Sequence, residues 1–190
     1  MAVKDTFVKL YQEHIKRDGA EELLDYIYGT DFFDAPASHR FHGAYVGGLV
    51  EHSVNVFKRL VAEPTDANME TIAIVALLHD ICKANFYVSV KKSRKTGRTL
   101  PNGKPEWEDY FGYEIDDKCP YGHGEKSVWI ISQFMKLTEE EAMAIRWHMG
   151  GFDESVKGGS YALSGAWSKY PLGVLLHCAD LQASYLDENK

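Results

Sequence analysis

The sequence predicts an all-α domain that carries one small β-hairpin. Three observations carry that prediction. Apolar residues recur at helical spacing through most of the chain, helix start and stop signals bracket those stretches, and one segment, 86–115, alternates in strand fashion between turn signals.

Phe7, Leu10, Tyr11 and His14-Ile15 share one helical face, and Gly19 supplies a stop. A second helix fits Glu21 to Tyr28, closed by Gly29, and Asp31 to Ser38, with Pro36, reads as a loop. Leu49, Ser53, Val54, Phe57 and Val61 mark an amphipathic helix carrying His52. Ile72, Val75, Leu78 and Ile81-Cys82 mark another, apolar nearly all round as a buried central helix is, with His79 and Asp80 in its last turns. Phe86 to Lys92 alternates, Thr96-Gly97 and Asn102-Gly103 are turn signals, and Trp107 to Ile115 is aromatic and extended. Helices resume at Gly124 to Met135, with His123 at the start. Thr138-Glu139-Glu140-Glu141 is a capping box, because the threonine hydroxyl and the glutamate three residues on can satisfy each other's backbone N–H. That helix is expected to run to His148, before a Gly-rich loop from Gly150 to Ser160. A short helix near Leu163 to Lys169 precedes Pro171, which suits the first turn of a last helix carrying His177 and Asp180.

A chain of 190 residues suits one domain, spanning 1–190, and 45% apolar residues are enough for an ordinary globular core. The first residues, Met1-Ala2-Val3-Lys4-Asp5, show no apolar run behind a charged start, and the longest apolar stretch, Ile72 to Leu78, is too short to span a bilayer. Cys82, Cys119 and Cys178 are odd in number and scattered, which argues for free thiols and a reducing compartment. The expectation is a cytoplasmic protein without a membrane partner. A net charge of −7 disfavours a broad grip on a polyanion and conflicts less with a small phosphorylated substrate. The segment Lys91 to Arg98 is a local cationic exception, read as a solvated hairpin tip or as a phosphate contact.

Chemistry concentrates in five separated pieces: His52, the pair His79-Asp80, His123, His148 and Asp180. Imidazole nitrogens and carboxylate oxygens suit borderline divalent metals, and an aspartate can bridge two ions. An unpaired imidazole among Leu49 and Val56, or a lone carboxylate after the apolar run before Asp80, is costly to bury, and a metal relieves that cost.

The segments "GGLVEHS", "VALLHDICK", "YGHGEKS", "AIRWHMGG" and "LLHCADL" contain these residues in order, and together they resemble the HD superfamily of metal-dependent phosphohydrolases over roughly residues 40–185. The resemblance implies an HD-type helical bundle in which His52, His79, Asp80 and Asp180 hold a first metal. In two-metal members the positions matching His123 and His148 complete a second ion with Asp80 bridging; in one-metal members they contact substrate. The expected cofactor is one or two divalent transition-metal ions, Mn, Fe, Co, Ni or Zn, among which this ligand set does not choose.

Lys83 stands where many such hydrolases carry a lysine after a glycine; here Cys82 replaces the glycine. Its expected role, with Asp80 the second catalytic residue, is to face phosphoryl oxygens as negative charge builds. Arg40 can fork onto a phosphate and His42 can protonate a leaving group, so both are expected substrate contacts. His177, one turn before Asp180, is expected to hold a ligand by a hydrogen bond rather than to ligate. Cys82 and Cys178 are read as buried free thiols.

The wording is most similar to the HD domains of bacterial 3′–5′ exoribonucleases and small stand-alone HD hydrolases. Such exonucleases add a nucleic-acid-binding domain for which this length has no room, which turns the expectation to a nucleotide or short oligonucleotide. Two rival classes fit the same residues: a di-iron oxygenase of the HD fold, and a nucleotide-binding module without turnover.

Overall fold

The computed structural model describes residues 2–188; Met1, Asn189 and Lys190 lie outside them. The chain forms α1 (Val3–His14), α2 (Ala20–Tyr28), α3 (Gly48–Val61) and α4 (Met69–Leu78), and then strands β1 (Tyr87–Thr99) and β2 (Pro105–Ile115). It continues with α5 (His123–Ser132), α6 (Glu139–Arg146), α7 (Glu154–Lys157), α8 (Ala162–Lys169) and α9 (Leu172–Gln182). The predicted class, all-α with a hairpin inserted near 86–115, is the class observed.

Helix α4 is the axis of the core. Every residue from Thr71 to Leu78 is buried, so no polar face is left to orient it, and it packs against α1, α3 and α6. Burying each large apolar side chain contributes roughly 1.5–3 kcal/mol, which fixes this helix at the centre whatever its propensity. Helix α3 packs on α1, α4 and α9, and α6 packs on α4, α5 and α9. Phe32 and Phe33, from the loop after α2, plug the same core beside Phe7.

The predicted capping box opens α6, with Thr138 Oγ1 accepting the Glu141 N–H at 3.2 Å and Glu141 accepting the Thr138 N–H at 2.9 Å. Glu141 does more than cap. Its fully buried carboxylate takes two hydrogen bonds from the Arg17 guanidinium, both 2.8 Å, and a third from the Thr71 hydroxyl at 2.8 Å. One carboxylate thus ties the α1–α2 connection, the start of α4 and the start of α6.

The hairpin is antiparallel, pairing Tyr87 with Ile115 and Lys95 with Trp107, with a register shift between Lys95 and Thr99. Thr96-Gly97, expected as a turn, lies inside β1 at that irregularity, and the reversal itself runs through Leu100 to Lys104. The cationic segment is paired across the ribbon, Lys91 to Asp109 at 2.6 Å and Arg94 to Glu108 at 2.7 Å. These pairs are solvent-exposed and therefore contribute little to stability. Of the two readings of this segment, the pairing favours the solvated hairpin. Gly150 to Ser160 is not purely loop, since it holds a 3₁₀ turn, Gly150–Phe152, and the short α7. Cys82 is buried as expected; Cys178 is exposed, on the outer face of α9. No described helix is long and apolar enough to cross a membrane.

Candidate metal centre

The candidate side chains arrive from five places in the fold, His79 and Asp80 together at the end of α4. His52 projects from the buried face of α3 between Leu49 and Val56, all three fully buried. The expectation that His79 and Asp80 sit within the last turns of their helix is corrected: α4 ends at Leu78, His79 caps it, and Asp80 leaves helical geometry at φ −106°, ψ 15°. A 3₁₀ turn, Ile81–Lys83, follows and folds Lys83 back over Asp80. Helix α6 likewise stops at Arg146, two residues short of His148. The physical reason is the same in both places. Histidine Nδ1 reaches a carbonyl that the ending helix leaves unpaired, Ala76 O at 2.9 Å for His79 and Ile145 O at 2.7 Å for His148. His123 is the first residue of α5. Gly124 beside it lets α5 approach the end of α6, because a Cβ there would lie 2.3 Å from the Arg146 carbonyl oxygen. Asp180 comes from α9.

These six side chains converge, and Asp80 lies at the middle. Its Oδ2 faces His79 Nε2 at 3.5 Å, His52 Nε2 at 3.6 Å and Lys83 Nζ at 2.6 Å. Its Oδ1 faces the other way, to His123 Nε2 at 2.8 Å and His148 Nε2 at 3.6 Å. Asp180 Oδ1 lies 3.2 Å from His52 Nε2, which is itself 3.2 Å from His79 Nε2. The two oxygens of one buried carboxylate therefore address two sets of imidazoles.

All four imidazoles present Nε2 to the centre because Nδ1 is occupied elsewhere. His79 and His148 use the backbone carbonyls already named; His52 Nδ1 lies 3.1 Å from both Glu188 oxygens, and His123 Nδ1 lies 3.4 Å from Cys82 Sγ. With Nδ1–H donated outward, as the hydrogen-bond network assigns the tautomers, each Nε2 offers a lone pair inward. His148 Nε2 is buried without a hydrogen-bond partner among the described residues. Lone pairs meeting lone pairs and carboxylates in a largely buried site call for positive charge.

The titration behaviour says the same. Burial alone would lower the His52 imidazole, but hydrogen bonds to Asp180 and Glu188 prevail and push it up to about 10. Burial opposes a charge on His123 too, yet the Cys82 sulfur and Asp80 push it up to about 10. His79, dominated by burial, falls to about 3. Burial would raise the Asp80 carboxyl, but Lys83 and the imidazoles hold it well below the usual carboxylate range, and His52 does the same for Asp180. Asp80 in turn holds the Lys83 ammonium above its ordinary range despite burial. The cluster stabilises cationic partners, and divalent metal competes with protons for the same nitrogens. Groups such as His52–His79–Asp180, His79–Asp80–His148 and Asp80–Cys82–His123 present donor atoms within 4.8 Å of one another, so the residues present fit such an ion.

His177 does not reach the centre. Its Nδ1–H donates to the His148 carbonyl at 2.6 Å, and its ring fills the space a Cβ on Gly150 would take, so it braces the turn after His148. Arg40 and His42 both line the cavity of about 810 Å³ in front of Asp80 and Asp180. Ser38 shapes their turn, its hydroxyl accepting the Phe41 N–H at 2.7 Å and donating to the His42 carbonyl at 2.8 Å. The His42 ring stands 5.2 Å from that of His52, and its Nε2 is buried with no hydrogen-bond partner among the described residues.

Glu188 and the Cys82–His123 contact were not read from the sequence. Glu188 sits beyond the last predicted helix, where a π-helical turn, Ala183–Asp187, carries the chain back to α3. Asp187 and Glu188 are adjacent acids with nothing in the sequence to tell them apart, yet Asp187 pairs with Arg59 on the surface while Glu188 is buried against His52. Their partners on α3, His52 and Asn55 for Glu188 and Arg59 for Asp187, become recognisable only once the turn is placed against that helix.

A family model described as HD domain matches residues 49–182, a span that takes in all six converging residues and stops before Glu188. No curated protein and no solved structure matches the chain.

Proposed function

The chain belongs to the HD-domain family, and from that membership and the geometry above we propose that it hydrolyses a phosphoester of a nucleotide or short oligonucleotide. Metal-dependent phosphohydrolysis is the general activity of that family, and its members bind divalent metals. The observation that carries the reading is the split orientation of Asp80, one oxygen toward His52 and His79, the other toward His123 and His148. In this reading His52, His79, Asp80 and Asp180 hold one ion, and Asp80, His123 and His148 hold a second.

Bound there, a divalent ion would supply Lewis acidity and water of pKa lowered towards ~7. The chain's own residues do the rest. Lys83, charged across the physiological range, stands where phosphoryl oxygens meet Asp80 and neutralises them as charge builds. Arg40, exposed at the rim of the cavity, provides a planar fork for a phosphate. His42 faces the same space, and burial lowers its imidazole below the ordinary value, which favours the neutral ring and a role in orienting a leaving oxygen over protonating it. Support for a nucleotide comes from the cavity mouth, where Phe41, Phe152 and Tyr185 expose aromatic rings to stack on a base.

The test is to load the protein in turn with Mn, Co, Ni and Zn and measure release of product from nucleotides, cyclic nucleotides and short RNA and DNA. Turnover that chelation abolishes and Asp80→Ala lacks is the expected result. Ligand binding without turnover in every metal form would refute hydrolysis.

A further inference from the structure

Two cavities meet at the metal centre. The larger, about 810 Å³, opens onto Asp80, Asp180 and Arg40. The smaller, about 480 Å³, lies toward the root of the hairpin, against Phe86 and Ile115. Lys83, His123, Met149, Phe152 and Lys157 line both, so the group that binds at Lys83 and His123 has open space on either hand.

The dividing ridge is built rather than loose. Arg146 donates to Asp153 at 2.8 Å and to Ser155 at 3.1 Å, and it also pairs with Glu125 of α5. Asp153 caps α7 by accepting the Ser155 N–H at 2.9 Å. At the other end His177 braces Gly150. Phe152 stands between these anchors with 56% of its surface exposed, a large apolar ring held at the junction with no core to fill.

The lining of the smaller cavity narrows what can enter it. Asp117, Glu125, Asp153 and Glu154 face Lys83, Lys126 and Lys157 there, and Lys126 is already engaged by Asp117 at 2.6 Å. With Asp117 engaged by Lys126 and with Glu125 and Asp153 engaged by Arg146, what remains is Lys157 and the Asp80-paired Lys83 facing Glu154, so the cavity offers a second phosphate no surplus of positive charge. A neutral planar substituent instead meets Phe86, Ile115 and Phe152 and keeps its burial favourable. A phosphomonoester has one organic substituent and would leave one cavity to water.

We infer that the substrate is a phosphodiester lying astride this ridge, its phosphorus at Lys83 and His123 with one ester substituent in each cavity, and that Phe152 is a specificity-determining contact that sorts diesters from monoesters. The inference rests on the phosphohydrolase reading above. In the reaction, water adds its oxygen to phosphorus, the P–O bond to one substituent breaks, and that oxygen leaves with the proton from water. The products are a phosphomonoester and an alcohol or phenol.

The test compares thymidine 5′-(p-nitrophenyl) phosphate, a diester, with p-nitrophenyl phosphate, a monoester, on the metal-loaded full chain. Wild type should turn over the diester with the higher kcat/KM. Phe152→Ala should lower the diester-to-monoester ratio at least about five-fold, the low end of what one aromatic stacking contact supplies, and Phe152→Tyr should restore it. Far-UV circular dichroism and metal content check that the variants fold. A wild type that prefers the monoester, or a Phe152→Ala that scales both substrates equally, overturns this inference and leaves phosphohydrolysis standing. No turnover of either compound in any metal form overturns the hydrolase reading and this inference with it.

Discussion

Glu188→Ala should weaken metal binding although Glu188 is not among the six converging side chains. The carboxylate and the His52 imidazole are each 1% exposed, and both Glu188 oxygens lie 3.1 Å from Nδ1. The contact does two things: it fixes the tautomer that leaves Nε2 free to ligate, and it makes that nitrogen a better donor. Loss of such a partner costs about 10–100-fold in metal affinity, or roughly 1.4–2.7 kcal/mol. Full burial and the doubled contact put Glu188→Ala near the upper figure. Glu188→Gln should cost less. Oε1 already accepts from both His52 and, at 3.2 Å, Asn55 Nδ2, so a glutamine oxygen in that place keeps both bonds, at the cost of the charge and of an amide NH2 set where the second oxygen faced Nδ1–H. The assay is competition of apo-protein against a chromophoric chelator for Mn, Ni or Zn, with circular dichroism to confirm the fold. An order wild type > Glu188→Gln > Glu188→Ala is expected. Equal affinity for wild type and Glu188→Ala, within about two-fold, would mean that His52 does not ligate through Nε2, and the reasoning would fail at its first step.

Asp80→Ala should lose metal most completely, seen as absence of metal by elemental analysis after dialysis; retention of a full complement would remove Asp80 from the centre. His148→Ala should lower stoichiometry from two ions to one while His52, His79 and Asp180 keep the first, and a wild type that binds one equivalent only would make His148 a substrate contact. Lys83→Ala should keep fold and metal but lower kcat by roughly 10²–10³ with a smaller change in KM, and Lys83→Arg should rescue only in part since its fork copies a compact ammonium poorly; wild-type rates from Lys83→Ala would exclude Lys83 from the site. Glu141→Gln should destabilise the fold at neutral pH by about 2 kcal/mol, the scale of a charged hydrogen bond. Burial would raise the Glu141 carboxyl, but Arg17, Thr138 and Thr71 hold it below its ordinary value of 4.5, so its stabilising contribution is present above that value and lost as pH falls through the lower folded-state value. Denaturant titrations from pH 7 down to 3 should show the gap between wild type and Glu141→Gln closing toward acid; a pH-independent gap would refute the linkage.

Much of the scaffold could be read ahead because its signals are local. The amphipathic spacing of α3, the apolar run of α4 and the Thr138 capping box each act within a few residues, and each element formed where those signals lay. Convergence of His52, His79, Asp80, His123, His148 and Asp180 was legible only as an ordered set, since no single histidine distinguishes itself from a core residue. The errors that touch the site fall at helix ends. His79 and His148 read as helical by periodicity, but a histidine that can bond a terminal carbonyl with its own ring competes with the next turn of helix, and periodicity does not register that competition. Glu188, the Cys82–His123 contact and the Phe152 ridge depend on tertiary placement of segments distant in sequence, and no local pattern encodes them.

The four inward-facing imidazoles are secured in two different ways, with a consequence for how such a centre can change over generations. His79 and His148 are held by main-chain oxygens, which no amino-acid replacement deletes. His52 and His123 are held by the side chains of Glu188 and Cys82, each one codon away from alteration. Half of the centre is therefore insulated from mutation at its supporting positions, and the other half is adjustable without touching a ligand. Replacing the soft sulfur beside His123, or the carboxylate behind His52, would retune the hold on one side of Asp80 while the opposite nitrogens stayed put. If the two-ion reading proposed above holds, these two supports are the positions at which replacement would alter the centre while leaving its six converging residues unchanged.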